Sequence, residues 1–468
     1  MNTTLIVLLS YMLIIVLIAV FSTKKSKIKE SDDYLLAGRN LGVWMLAGTL
    51  AAAEIGGGST IGVAQKAYQD WGLSAGWYVL CAGIGIFLVS FVAPYLRKAM
   101  AATIPEILGR RYGKEVHLIT TILSIVAGFI AAAVQIIATA SIISTVTGMP
   151  IKEALILSAI VVTIYTVMGG LISVAYTDII HIFFIVIGMI VALPIILDNS
   201  GGWEAVELAL PKEQLDPFKI GWIQIGGLIL LYFMTFSTGQ EAVQRYFAAK
   251  DEKVAKKGSF LCSLFMGIYG FVPAIIGLVA LAHFPNIEPA QALPTAAVNF
   301  LNPVMAGVVL ASICAATLSS AAGNMIAVSA IFTNDVYKKY VKKQAESKEL
   351  ILVSKFVIIF TGVVSLIIAL TNTSIIGLLV FAFTIRSAGP FAALIFGLLY
   401  KRVTKLGAIS SIIIASIVAF TWEYLGSPFG IMSIILGASV SVIVLLVVSA
   451  IDLKMGGKEA PSAFLDEN

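Results

Sequence analysis

Residues 50–64 read LAAAEIGGGSTIGVA. The stretch lies inside an apolar run long enough to cross a bilayer, which takes about 20 mostly apolar residues. Yet it carries a carboxylate, Glu54, and three consecutive glycines, Gly56, Gly57 and Gly58. A charge near mid-membrane costs about 3 kcal/mol on insertion scales, and each glycine weakens a helix by roughly 1 kcal/mol relative to alanine. A helix whose only task is to span would carry neither. The stretch reads as a spanning helix interrupted at its middle, with backbone carbonyls freed at the break. The competing reading is that the glycines only let helices approach closely.

The rest of the chain fits a bilayer. Of its 468 residues, 59% are apolar and 12% charged, against about 25% charged in soluble proteins. Mean hydropathy is +0.98. The net charge of +5 is spread over short loops and is no nucleic-acid footprint. Cys81, Cys262 and Cys314 fall in apolar segments without a CxxC spacing, and His117, His181 and His283 are far apart, so no metal motif is formed. No HExxH argues for an enzyme, and no repeated filter loop argues for a channel. The composition predicts an all-α polytopic membrane protein that is not an enzyme and needs no cofactor.

Thirteen spanning segments are predicted, at about 3–23, 43–66, 73–96, 117–146, 151–168, 171–197, 220–240, 258–284, 303–332, 350–371, 375–399, 406–424 and 428–452. The first has no basic leader or small-residue cleavage site and is followed by KKSKIK (24–29), which predicts an uncleaved helix. With the N-terminus outside, 26 of the 31 Lys and Arg fall inside. Lys66, Lys152, Lys212 and Lys219 fall outside, and Arg386 sits within a helix. That bias predicts N-terminus out and C-terminus in, in a cytoplasmic membrane.

A second interrupted segment reads MTFSTGQEAVQR (234–245). Counted from the second span, the two interruptions fall in the first and sixth of ten core helices. Breaks in matching places of two halves point to an inverted-repeat transporter with its site at the midplane. The expected organisation is an N-terminal extra helix and loop (1–42), a first repeat (43–197), an external loop (198–219), a second repeat (220–399) and C-terminal helices with a tail (400–468). In CAATLSSAAGNMIAVSA (314–330), Ser319 and Ser320 offer adjacent hydroxyls. A hard cation such as Na⁺ wants oxygen ligands, though serines in membrane helices also bond back to their own helix. In GGLISVAYTDIIHIFF (169–184), Asp178 is an intramembrane acid. It marks an ion pathway, a buried salt bridge or a carboxylic acid kept neutral.

Together these stretches, with YLLAGRNLG (34–42), QRYFAAKDEKVAKKG (244–258) and LSSAAGNMIAVSAIFTNDVY (318–337), resemble the sodium:solute symporter family over nearly the whole chain. The resemblance implies a LeuT-type five-plus-five inverted repeat with broken first and sixth core helices. It also implies Na⁺-coupled import of a small polar solute by alternating access. The Na⁺ ligands it implies are the carbonyls of Ala52, Ile55 and Ala316 and the hydroxyls of Ser319 and Ser320, supported by Asp178. IGGG and SVAYTDII most resemble the choline-transporter branch, but Glu54 and Gly239 stand where that branch has an aromatic box. A quaternary ammonium is held by such rings.

The candidate solute residues are therefore Glu54, Gly57, Gly58, Ser59, Gly239, Gln240 and Arg386. Glu54 and Arg386 either flank a zwitterion, an amino acid or betaine, or pair with each other. The competing coupling scheme is proton transport through Glu54 and Asp178.

Overall fold

The computed structural model describes residues 3–26, 37–372, 374–400 and 402–462. The basic run at 24–29 and the end of the tail lie partly outside these. The side chains of 169–176, ahead of Asp178, are also outside the description.

The long apolar runs fold as helices because a backbone in lipid must satisfy its own hydrogen bonds. The extra helix α1 is Thr3–Ser26. The first half-helix, α2, is Val43–Glu54; the chain then breaks and resumes as helical turns over 58–71. There follow α3 (Trp77–Val89), the short amphipathic α4 (Ile104–Tyr112) and α5 (Lys114–Thr147). The long α6 (Ile151–Asn199) contains two windows each able to span, Ile151–Met168 and Ile180–Asn199. In the second half, α7 (Gly221–Thr238) breaks at Gly239 and continues as α8 (Gln240–Ala248). Then come α9 (Glu252–Tyr269), α10 (Val272–His283), α11 (Pro303–Ile331), α12 (Ser347–Thr371), α13 (Ile375–Ser387) and α14 (Pro390–Leu399). The C-terminal helices are α15 (Lys405–Tyr424) and α16 (Ser433–Lys454).

Among the described residues, ten helices are long and apolar enough to cross a membrane, and an eleventh if α13 and α14, bent by 50°, form one span. The anticipated count of thirteen is thus not reached by length and composition. Interruption explains part of the difference. Val43–Glu54 is apolar but stops short at its break.

The core is centred on α11. Nearly every residue from Ala306 to Ile331 is buried. Its run of Ala, Gly and Ser lets neighbouring backbones close in, as small residues do between membrane helices. Both readings of the glycine triplet hold at once. A Cβ at Gly56 would lie 2.4 Å from Ser320 Oγ on α11, one at Gly57 2.4 Å from Ala138 Cβ on α5, and one at Gly58 2.3 Å from Leu379 Cδ1 on α13. The helix breaks here and three helices close on the break.

Gly57→Ala is expected to cost about 1–3 kcal/mol, as overpacking does, and to lower the thermal midpoint of the detergent-solubilised protein. Gly226→Ala, with nothing within 4 Å of its added Cβ, is the control. Equal midpoints for the two variants would show that the break yields freely.

Candidate functional site

At the first break the ladder changes partners. The Gly56 amide bonds to Glu54 O at 2.7 Å instead of reaching back to Ala52. Ala52 O accepts from Ser320 Oγ at 2.9 Å. Ser59 Oγ lies 2.7 Å from Glu54 O and 2.9 Å from Glu54 Oε1, tying the turn that resumes the helix to the end of α2. The expected Na⁺ ligands Ala52 and Ser320 are therefore in direct contact. Ile55 is fully buried at the break, and Ala316 is buried one turn before Ser320 on α11.

Ser319 donates to Asp178 Oδ1. The other carboxylate oxygen of Asp178 accepts from Thr49 on α2. Thr49 Oγ1 in turn accepts from Arg245 Nε at 3.0 Å, and Arg245 Nη2 stands 3.7 Å from Asp178 Oδ2. Asp178 and Arg245 are both fully buried. So Asp178 accepts from Ser319 and belongs to a buried salt bridge. Arg245, one of the positive charges the loop bias places inside, is a fully buried core residue of α8. A Cβ at Gly323 would lie 3.2 Å from its Nη2, so α11 carries a glycine where the guanidinium passes.

At the break, lined by Glu54 and Gly58 from its two sides, lies a cavity of about 20 Å³, enough for a single water. Its polar lining is Glu54, Gln135, Asn324 and Glu241; Phe236, Phe383 and Leu379 supply much of the apolar wall, with Gly58 beneath. Tyr232 OH donates to Glu54 Oε1 at 2.8 Å. Gln135 Oε1 accepts the freed Gly57 amide at 2.8 Å, and Asn324 Nδ2 donates to Ser320 O at 2.9 Å.

The second break corrects three expectations. Glu54 and Arg386 do not pair. Arg386 is held by both carboxylate oxygens of Glu241, with its guanidinium carbon 4.7 Å from the Phe383 ring centroid. Bidentate pairing with a carboxylate suits the planar guanidinium fork. Gly239 does not face the cavity: a Cβ there would lie 2.6 Å from Arg386 Nη2, so this glycine makes room for the guanidinium. Gln240 does not face it either. Its Nε2 donates to Ala102 O at 2.8 Å and its Oε1 accepts from Ile104 N at 3.0 Å, which pins the start of α4. Ser59 and Gly57 bond to the cavity-lining Glu54 and Gln135 and do not line the cavity themselves. Of the anticipated solute residues, Glu54 and Gly58 line the cavity.

Sequence reasoning passed over Gln135, Asn324, Glu241, Arg245 and Thr49 as site members. One signal was present: Glu241 and Arg245 stand four residues apart just after a break, on one face of a helix.

Two interrupted helices at matching places of the two halves, with a buried cavity beside them, are the pattern of an inverted-repeat carrier. The model of the sodium:solute symporter family matches residues 34–415, and the chain belongs to that family. It is a multi-pass membrane transporter, a sodium-coupled symporter of a small solute and not an enzyme; Na⁺ is its coupling ion. A sodium/proline symporter of Staphylococcus aureus is 27% identical, over 97% of this chain and 93% of its own. In fold, the chain matches a substrate-bound, outward-open Na⁺-coupled sialic acid symporter with a TM-score of 0.83 at 20% identity, over 99% of each chain. It also matches a closed nucleobase-cation-symport-1 family transporter, with a TM-score of 0.55 at 14% identity, over 90% of this chain and 95% of that one. The proton-coupled alternative finds no support in these matches.

Proposed function

We propose that the protein imports a small amino acid or betaine together with Na⁺ across the cytoplasmic membrane, with its N-terminus outside and C-terminus inside. The observation that carries the solute class is a charge count. Asp178 and Glu241 each have an arginine. Glu54 lines the cavity with hydroxyl partners from Tyr232 and Ser59, and no ion pair is formed with it among the described residues. A buried charge needs a counter-charge. The solute supplies it as an ammonium once alternating access widens the cavity, which at about 20 Å³ holds a single water here. Proline, the solute named for the Staphylococcus relatives, carries a ring ammonium beside a carboxylate and is the first candidate.

Na⁺ sits between Ala52, Ile55 and Ala316 carbonyls and the Ser319 and Ser320 hydroxyls. Binding there ties α2 to α11 across the break; solute then closes the outer side, and the bundle rocks. One charge through about 100 mV and a tenfold gradient together supply roughly 3.7 kcal/mol, enough for roughly 500-fold accumulation of a neutral solute.

The test is uptake of labelled amino acids, betaine and amines into proteoliposomes under an inward Na⁺ gradient. Glu54→Gln is expected to raise the KM for ammonium-bearing solutes at least tenfold with Na⁺ half-saturation nearly unchanged. Ser320→Ala is expected to do the reverse. Solute affinity indifferent to Glu54→Gln would remove the ammonium assignment.

A further inference from the structure

The helix break does more than free carbonyls for an ion. In an unbroken helix the Gly57 amide would bond four residues back, to Ala53 O. Here it donates to Gln135 Oε1 at 2.8 Å. An amide N–H can only donate, so the oxygen of Gln135 must face it. The glycines permit this approach: a Cβ at Gly57 would lie 2.9 Å from Gln135 Oε1, and one at Gly56 3.0 Å. With its oxygen fixed, Gln135 turns its NH₂ away from the break. Gln135 is 4% exposed and lines the cavity. Among the described residues nothing accepts from its Nε2. Asn324 is set the opposite way: its Nδ2 is spent on Ser320 O at 2.9 Å, which leaves its oxygen as an acceptor at the same cavity.

We infer that Gln135 is a specificity-determining residue: its side-chain N–H binds the carboxylate of the solute, while Glu54 and the Asn324 oxygen take the ammonium. This deepens, and rests on, the amino acid assignment above. A buried donor without an acceptor is costly, so a solute lacking the acceptor is penalised twice: by the lost bond and by the stranded N–H. The arrangement also makes solute binding depend on the break. The donor faces the cavity only while Gly57 presents its amide, one residue from the Gly56 contact with Ser320. Cavity and ion pocket thus share one turn of backbone.

The experiment is competition against labelled L-proline uptake in proteoliposomes by unlabelled L-proline, L-prolinamide and pyrrolidine, for wild type, Gln135→Leu and Gln135→Glu. These competitors carry the carboxylate, its uncharged amide and neither. Wild type is expected to prefer proline to pyrrolidine at least tenfold. Gln135→Leu is expected to lose tenfold or more for proline and less than twofold for pyrrolidine, with Na⁺ half-saturation within twofold of wild type. Gln135→Glu keeps an acceptor toward Gly57 but faces the carboxylate with an anion; it is expected to lose about 100-fold for proline and to keep or improve pyrrolidine.

Equal losses for all three competitors in Gln135→Leu, with Gln135→Glu retaining proline, would overturn the assignment and leave Gln135 as packing. Wild-type protein that takes up neither proline nor any other amino acid would overturn the parent reading, and this one with it. Amino acid uptake that survives with unchanged selectivity in both variants overturns this inference alone.

Discussion

Asp178→Asn is expected to raise the half-saturating Na⁺ concentration by at least about tenfold and to bring uptake near background at ordinary Na⁺. Two effects add. Ser319 loses the carboxylate that fixes its hydroxyl, and hydrogen bonds to charged groups contribute about 1.5–3 kcal/mol. Arg245, fully buried, loses its counter-charge, and removing one partner of a buried pair costs about 3–5 kcal/mol. The second effect is a stability loss, so the single variant cannot separate the two. The double variant Asp178→Asn, Arg245→Gln removes both charges together. It is expected to recover most of the thermal stability lost by the single variant and little of the Na⁺ affinity. A sodium titration of uptake beside a thermal melt of each protein reads both. Full recovery of Na⁺ affinity in the double variant would mean that Asp178 serves the fold and leaves the ion to the serines.

The division between what the sequence discloses and what it hides has a physical cause. Apolar length and loop charge act over whole segments, so the helical core and both breaks were legible. A glycine triplet beside a carboxylate is costly in a spanning helix and stands out wherever it occurs. Asp178 stood out because a polar group at depth needs a reason, whereas the serine pair drew notice through the resemblance to the family, since serines in membrane helices also bond back to their own helix. What was not legible is which buried charge answers which. Arg386 could face Glu54 or Glu241, and the choice depends on a bare Gly239 leaving room for the guanidinium, a packing fact with no signature along the chain. Arg245 was hidden by its neighbours. It stands second in QRYFAAKDEKVAKK (244–257), where the positives after it belong to a loop, and composition cannot tell the first charge of such a run from the rest. Gln135 and Asn324 lie in long helices of ordinary apolar pattern. Their roles come from the orientation of an amide, which spacing does not encode.

Arg386→Gln is expected to lower transport by about 100-fold or more, and Glu241→Gln in the same chain to restore a measurable part of it. Glu241 lines the cavity and its side chain is 14% exposed, while that of Arg386 is 3% exposed beneath it. Removing the guanidinium leaves Glu241 uncompensated next to Glu54. The cavity then holds two unpaired carboxylates, which repel each other and bind an ammonium without room for a carboxylate. The single variant should therefore shift preference from amino acids toward amines as it loses rate. Removing both charges returns the cavity to one free carboxylate, that of Glu54, which is the wild-type count. Partial recovery, with amino acid preference regained, is the expected result, because the pair's bidentate geometry is lost while its net charge is preserved. If Arg386 itself held the solute carboxylate, the double variant would recover nothing and amino acid KM would stay high in both. The coupling energy of the cycle decides between a structural pair that sets the cavity's charge and a guanidinium that binds the solute.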